Sequence, residues 1–309
     1  MSDPSRAPWL EPARMLAAMD RAESIVPAER ERLQDFAEAE RIQAGINALR
    51  LARGDVPAGY KIGFTNRSIW PLYGVFQPIW APVWRAGIVD LSPDPANAGV
   101  GAGTGAGGWF DARGRLAIDR FCQPRLEPEI VVGLRAAPTS AAPEALAATI
   151  DWVAHGFEIV HSVWPDWRFS AAESFAGQAL HGLLLIGPRR RVAARHGAAA
   201  ALVAALSAVR LELSEGGRPV AAGDGTAVLD GPVQALSHLV AALIERRSDT
   251  AAAFTLGAGS IVTTGTLTDA QPLLPGQRWQ TRLTMPAAAS RGDGGALLAA
   301  PLAGLTLET

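Results

Sequence analysis

The stretch Pro124-Arg-Leu-Glu-Pro-Glu-Ile-Val-Val132 has the composition of a β-strand entered from a proline turn. Residues i and i+2 of a strand share a face, so Glu127 and Glu129 project side by side. Two carboxylates held this close repel, and one takes up a proton unless a cation sits between them. Pro128 has no N–H to give a ladder, which predicts an edge or a bulge at this end of the strand. Further strand signals lie at 127–134, 156–163, 183–186, 209–213 and 260–264, with a short one at 60–64 after a turn at 55–59. Residues 233–246 read as a helix, and so do 143–154, whose proline falls in the first turn where a missing N–H costs nothing. Pro, Gly and Trp crowd residues 71–89, which predicts irregular backbone there. Upstream, Met15, Met19, Phe36, Ile42 and Ile46 recur at helical intervals on either side of Pro27, giving two covering helices. Strands with interspersed helices and glycine turns make this an α+β fold. The expected organisation is a helical segment over 1–58 packed on a main domain over 59–309, with a flexible glycine-rich insertion at about 93–108. That insertion spells G-x-G-x-x-G at Gly103, Gly105 and Gly108, but it has no strand before it and no helix after it, so it is not a dinucleotide fingerprint.

The 309 residues are 49% hydrophobic and 19% charged, which suits a globular enzyme with a sizeable core. A net charge of −2 gives no basis for holding nucleic acid or an anionic membrane. Cys122 is the only cysteine, so an internal disulfide and a cysteine-based zinc site are excluded. The start has no cationic-then-apolar leader, and the runs at 183–186 and 239–244 are too short to cross a bilayer, so a cytoplasmic protein is expected. Lys61 is the only lysine; the other 27 of the 28 basic side chains are arginine. Arginine keeps its proton near neutral pH, whereas a buried lysine can exchange one. Lys61 is therefore either a survivor by chance or a residue kept for its chemistry.

A third carboxylate bears on the pair. Glu158, in Gly156-Phe-Glu-Ile-Val160, alternates with Phe157 and Ile159, which face the core. Three carboxylates offer only oxygen ligands, the donor set of a hard divalent cation, Mg²⁺ or Mn²⁺.

Four segments in order, Gly59-Tyr-Lys-Ile-Gly-Phe-Thr65, Gly74-Val-Phe-Gln-Pro78, Pro124-Arg-Leu-Glu-Pro-Glu-Ile130 and Phe157-Glu-Ile-Val160, resemble the 2-keto-4-pentenoate hydratase family of the fumarylacetoacetate hydrolase-like superfamily. The late segment 258–268, closed by Pro275-Gly276, resembles that family's strand-turn element, and the likeness runs from about 15 to 285. It implies a β-rich roll around Mg²⁺ (or Mn²⁺) held by Glu127, Glu129 and Glu158, with Lys61 catalytic. It also implies a small-molecule 2-oxo acid as substrate, contacts to it from Gly63, Phe64, Thr65, Gln178 and Thr266, and a homo-oligomer. The reaction implied is hydration: a 2-hydroxy-dienoate ketonises and water adds to the conjugated double bond, giving a 4-hydroxy-2-oxo acid, with the metal stabilising the enolate. Backbone N–H groups of Gly63-Phe-Thr65 would face the same anion.

The chain departs from the family in two places. His161-Ser162 stands where Asp-Ser is usual, and Glu173-Ser-Phe-Ala-Gly-Gln-Ala-Leu-His181 replaces a stretch that normally ends in a hydroxyl near the reacting carbons. Leu180 and His181 stand in its place, so His181 either takes over proton transfer or is structural. His161 alternates away from Glu158 and reads as support or core. Trp70, Trp80, Trp84, Trp164 and Trp167 flank the motifs, as core or subunit contact or as walls for a bulkier or aromatic substrate. Arg85 and Arg168 read as surface ion pairs or, with such a substrate, as partners of a second carboxylate. Three other outcomes fit the same residues: decarboxylation of a 2-oxo dicarboxylate, C–C hydrolysis of an acylpyruvate, and a non-catalytic partner. Hydrolysis lacks the His–Glu pair expected between Thr65 and Gly87, and the retained Lys61 and glutamates oppose a non-catalytic role.

Overall fold

The computed structural model describes residues 11–26, 32–91, 108–193, 196–245, 254–285 and 297–309. In chain order the helices are α1 (Pro12–Asp20), α2 (Phe36–Ala52), α3 (Trp70–Tyr73), α4 (Pro143–Thr149), α5 (Ala171–Ala176), α6 (Ala198–Ser207) and α7 (Pro232–Glu245). The strands are β1 (Pro57–Gly63), β2 (Ile79–Trp84), β3 (Ile88–Asp90), β4 (Arg125–Leu134), β5 (Ile150–Val160), β6 (His181–Ile186), β7 (Arg190–Arg191), β8 (Arg210–Glu215), β9 (Arg218–Asp224), β10 (Ile261–Thr266), β11 (Gln271–Pro272), β12 (Arg278–Thr284) and β13 (Thr306–Glu308).

A mixed sheet runs β2-β1-β10-β4-β5-β6-β3, with β11 and β7 attached to β4 and β5. Its two end strands, β2 and β3, are joined by only the three residues Arg85–Gly87, so the sheet has to curl until its edges meet. A second sheet, β13-β12-β8-β9, packs beside it. His155 ties the two together: Nδ1 lies 2.9 Å from the Glu129 carbonyl and Nε2 lies 2.9 Å from Thr281 Oγ1 on β12.

Alternation along the curled sheet sorts its faces. Leu126, Ile130, Val132, Phe157 and Ile159 enter the main core, which also takes Met15, Ile42 and Ile46 from α1 and α2. The other face carries Glu127, Glu129 and Glu158 and continues into a small apolar cluster including Val131, Trp152, Ala154, Leu184 and Ile261. Gln43 of α2 donates to the carbonyls of Trp80 and Phe175 at 3.0 and 2.8 Å, which satisfies a buried amide and fixes the helix on β2 and α5.

Several expectations need correction. The helix expected over 143–154 ends at Thr149, and Ile150 opens β5, because the alanines that favour a helix give way to β-branched and aromatic residues that pack on a sheet. The strand expected over 156–163 is the second half of β5 and stops at Val160. Residues 71–89 are not irregular throughout but contain α3, β2 and β3. Pro82 is tolerated because β2 lies at the end of the strand order. The bulge foreseen at Pro128 falls on the partner strand, where the β10 register shifts between Thr263 and Thr266. One apolar stretch does reach bilayer-spanning length, Gly225–Glu245 with 21 residues, but half of its most apolar window is buried inside the protein, and Val233, Leu236 and Leu239 are core. Pro27 and the glycine-rich residues 93–107 lie outside the described residues.

Two buried histidines make the fold sensitive to acid. Burial depresses His155 and His161 to about 4, against an ordinary value of 6.5. Above pH 6.5 both are neutral in the native and unfolded chains, and stability is complete. Between 6.5 and 4 only the unfolded chain takes up the protons, so stability falls as pH falls, by up to about 3 kcal/mol per histidine. The raised carboxyls of Glu127 and Glu129 act in the opposite direction over this range, so the histidine contribution is read by difference. In urea unfolding at pH 7.5 and 4.5, His155→Gln is expected to lose less stability on acidification than the native chain.

Candidate active site

The register of β4 against β5 places Glu127 directly across from Glu158 and Glu129 across from Gly156. A side chain at Gly156 would meet the Leu185 carbonyl at 2.7 Å and Val131 Cγ2 at 2.8 Å, so glycine is required beside the glutamates. One oxygen from each of Glu127, Glu129 and Glu158 lies within 4.8 Å of the others. Glu129 and Glu158 are wholly buried.

Lys61, on β1, enters this cluster with 3% exposure; its Nζ is 3.2 Å from Glu158 Oε2 and donates to the Ala179 carbonyl at 3.0 Å. His181, at the start of β6, meets the other oxygen of Glu158 with Nδ1 at 2.7 Å. A carboxylate only accepts, so the proton of that bond sits on Nδ1. Glu129 Oε2 accepts from the Gly265 N–H at 2.7 Å and from Thr263 Oγ1, while its Oε1 has no hydrogen-bond partner among the described residues.

The charges are unbalanced. Burial pushes Glu127 up to about 7 and Glu129 well above its usual range, with Lys61 opposing both. Burial acts on Glu158 in the same direction, but Lys61 and the His181 hydrogen bond outweigh it and hold that carboxyl at about 2. Lys61 is destabilised by burial yet kept above its ordinary value by Glu158, Glu127 and Glu129. One buried ammonium faces two buried carboxylates and a third, Glu127, that is half-buried at the cavity wall. The missing positive charge, the free Glu129 Oε1 and the all-oxygen donor set together fit a hard divalent cation.

A short turn delivers several of these contacts. Gln178, Ala179 and Leu180 have φ of 58°, 49° and 64°, three non-glycine residues in succession in the left-handed region. The turn aims the Ala179 carbonyl at Lys61, puts Leu180 into a cavity and starts β6 at His181.

The cavity, about 290 Å³, opens from the cluster. Among the expected site residues Lys61, Gly63, Phe64, Thr65, Glu127 and Thr266 line it, and Glu129 and Glu158 lie deeper. His181 and Gln178 are not on its wall. Gln178 is buried, and neither of its amide atoms has a partner among the described residues. His161 accepts at Nδ1 from the Cys122 N–H at 3.4 Å, as a supporting residue would. Trp80, Trp84 and Trp164 are core, Trp70 donates to the Phe64 carbonyl at 2.7 Å, and of the five flanking tryptophans only Trp167 lines the cavity. Arg85 and Arg168 do not reach it. The arginine there is Arg125, which alternation from Glu127 along β4 would have revealed. Tyr73 and Phe169 also line the cavity and had no sequence signal, since only tertiary packing brings them in.

Residues 100–293 match the family model described as fumarylacetoacetate (FAA) hydrolase C-terminal. The chain is 29% identical over 241 residues to a 4-oxalocrotonate decarboxylase of a Pseudomonas species, covering 77% of this chain and 79% of that one. It is 30% identical over 236 residues to the 2-hydroxyhexa-2,4-dienoate hydratase of Comamonas testosteroni, covering 75% and 76%. In structure it is similar to 4-oxalocrotonate decarboxylase from Pseudomonas putida G7, solved with magnesium and adipate, with a TM-score of 0.72 over 96% of this chain and 95% of that one at 20% identity. At that identity the likeness establishes the fold.

Gly265 tests how tightly the cluster is built. Its φ is +103°, and a side chain there would strike Thr65 Oγ1 at 2.0 Å. Gly265→Ala is expected to cost at least about 1–2 kcal/mol in urea unfolding and to displace the N–H that holds Glu129.

Proposed function

The chain belongs to the fumarylacetoacetate hydrolase family, in its 2-keto-4-pentenoate hydratase branch, and from that premise we propose a divalent-metal-dependent hydratase that converts a 2-hydroxy-dienoate or 2-oxo-alkenoate into a 4-hydroxy-2-oxo acid. The observation that carries this reading is the cluster of Glu127, Glu129 and Glu158 with Lys61 at the inner end of the cleft. The three glutamates would hold Mg²⁺ or Mn²⁺. When bound, such an ion supplies Lewis acidity, countering the negative charge that builds on a 2-oxo acid as it loses a proton.

The chain's own groups do the rest. An ammonium has three hydrogens; Lys61 directs two toward Ala179 and Glu158 and keeps the third for the cleft, where it holds a substrate oxygen or returns a proton to carbon. Thr65 and Thr266 line the cleft beside it and, with the backbone of Gly63 and Phe64, orient the acid head. His181 acts through Glu158: its hydrogen bond fixes that carboxylate, and its place behind the cleft wall makes it a positioning residue. Gln178 belongs to the same supporting turn. Leu180, where the family has a hydroxyl, leaves proton delivery to Lys61. The same reading makes the protein a cytoplasmic homo-oligomer, and the exposed apolar side chains of Leu72 and Phe76 support the second part.

Decarboxylation of a 2-oxo dicarboxylate is the second reading, favoured by Arg125 as a cation for a far carboxylate. The ultraviolet assay of 2-hydroxypenta-2,4-dienoate separates the two. Dienol absorbance is expected to fall with Mg²⁺ and not with EDTA, to give a 4-hydroxy-2-oxo acid, and to slow at least about 100-fold in Glu129→Gln. CO₂ release from a 2-oxo dicarboxylate with no hydration would overturn the proposal in favour of decarboxylation. His181→Ala is expected to weaken Mn²⁺ binding about 10–100-fold by calorimetry, as losing a group that orients a metal ligand does. An unchanged affinity would remove the positioning role.

A further inference from the structure

The inner end of the cleft is polar, and its outer half is built differently. Phe64, Tyr73, Trp167 and Phe169 come from three separate loop or short-helix segments and meet as one continuous wall. Phe64 and Tyr73 have ring centroids 4.9 Å apart; Tyr73 and Phe169 stack at 5.5 Å and 13°; Trp167 and Phe169 lie 6.1 Å apart. Arg125 extends the wall, its guanidinium carbon 4.0 Å from the Trp167 ring centroid. Leu180 faces the same space. Aromatic rings at these spacings offer flat faces to another flat group, and such contacts favour it beyond the apolar area buried. The cavity holds the volume of about ten waters, more than a five-carbon acid needs.

We propose that this outer half is a slot for a planar aryl tail, so that the substrate is an aryl-substituted 2-oxo-alkenoate rather than a short unsubstituted one. The inference rests on the reading of the inner half as a 2-oxo acid site. A tail ending in a carboxylate is the competing occupant, and three features oppose it. The guanidinium of Arg125 sits over the Trp167 ring, which covers it on that side. Asp269 lines the same cavity, so a second carboxylate would meet a like charge. The four rings and Leu180 would also strip water from it with one cation in return.

Three saturated 2-oxo acids that cannot be hydrated probe the slot directly: 2-oxobutanoate, 2-oxo-4-phenylbutanoate and 2-oxoglutarate, each titrated by calorimetry into the Mg²⁺-loaded full chain. The phenyl acid is expected to bind at least about tenfold tighter than either of the others. Trp167→Ala and Tyr73→Ala are each expected to lower the ratio of phenyl acid to 2-oxobutanoate affinity several-fold, with circular dichroism confirming the native fold. Equal affinities, or tightest binding of 2-oxoglutarate, overturn the slot, and the native chain alone decides this if the variants fail to fold. Turnover is scored separately on 2-hydroxypenta-2,4-dienoate and its 5-phenyl analogue. Phenyl preference without hydration of either keeps the slot and removes the hydratase, whereas hydration without phenyl preference does the reverse.

Discussion

Three carboxylates and one ammonium crowd together at the inner end of the cleft, two of the carboxylates wholly buried, and the fold is organised around that arrangement. Two carboxylate charges within 4.8 Å repel by about 3–4 kcal/mol at an effective dielectric of 20, and the Lys61–Glu158 contact at 3.2 Å returns about 5. One ammonium therefore offsets much of the mutual repulsion but leaves the cost of removing the carboxylates from water. Burial consequently pushes Glu127 and Glu129 up while Glu158, which has both Lys61 and His181, stays ionised. Such a cluster does not assemble for stability. It has to be imposed by a scaffold whose remaining contacts outweigh it, and the rigid ladder of β4 against β5 is that scaffold.

The closing of the sheet and the left-handed turn complete the scaffold. Because Arg85–Gly87 joins the end strands, the face that carries the glutamates becomes concave, and Lys61 from β1 reaches a carboxylate on β5 two strands beyond its neighbour β10. The turn at Gln178–Leu180 costs of order 1–3 kcal/mol at each non-glycine residue held in the left-handed region. Its neighbours over-determine it: the Ala179 carbonyl accepts from Lys61, the Leu180 N–H reaches Gly177 and the Leu180 carbonyl accepts from His161. The strain is thus stored where the backbone must present one carbonyl to the ammonium and one side chain to the cleft.

What could be read from the sequence follows from which relations are local. The glutamate pair at Glu127 and Glu129 is legible because a strand has period two, and Lys61 because it has no competitor of its own kind. The direct pairing of Glu127 with Glu158 is a matter of register, which the motif order suggests and only the ladder fixes. The switch from helix to strand at Ile150 was hidden by alanines that suit a helix. Tyr73 and Phe169 stack on each other across about a hundred residues of chain, and no local pattern encodes such a contact. Among the tryptophans sequence proximity to the motifs was misleading, since three of the five serve the core.

Hydration and decarboxylation share an enolate at the polar end, reached by loss of a proton in the one and of CO₂ in the other, and part company at the far end of the substrate. Hydration needs a proton returned to carbon and water brought to a distant double bond, which a neutral tail permits. Decarboxylation needs a far carboxylate that is bound yet left free to depart as neutral CO₂. An arginine aimed squarely at that carboxylate would stabilise the charged ground state and oppose its loss, so tight pairing by itself would work against the reaction. Arg125 is instead laid across Trp167, with Asp269 on the same cavity and aromatic rings around it. That geometry shields the cation and favours a flat uncharged group at the outer end, so the aromatic wall, rather than the glutamates that all such reactions share, is the part of the site that selects the chemistry.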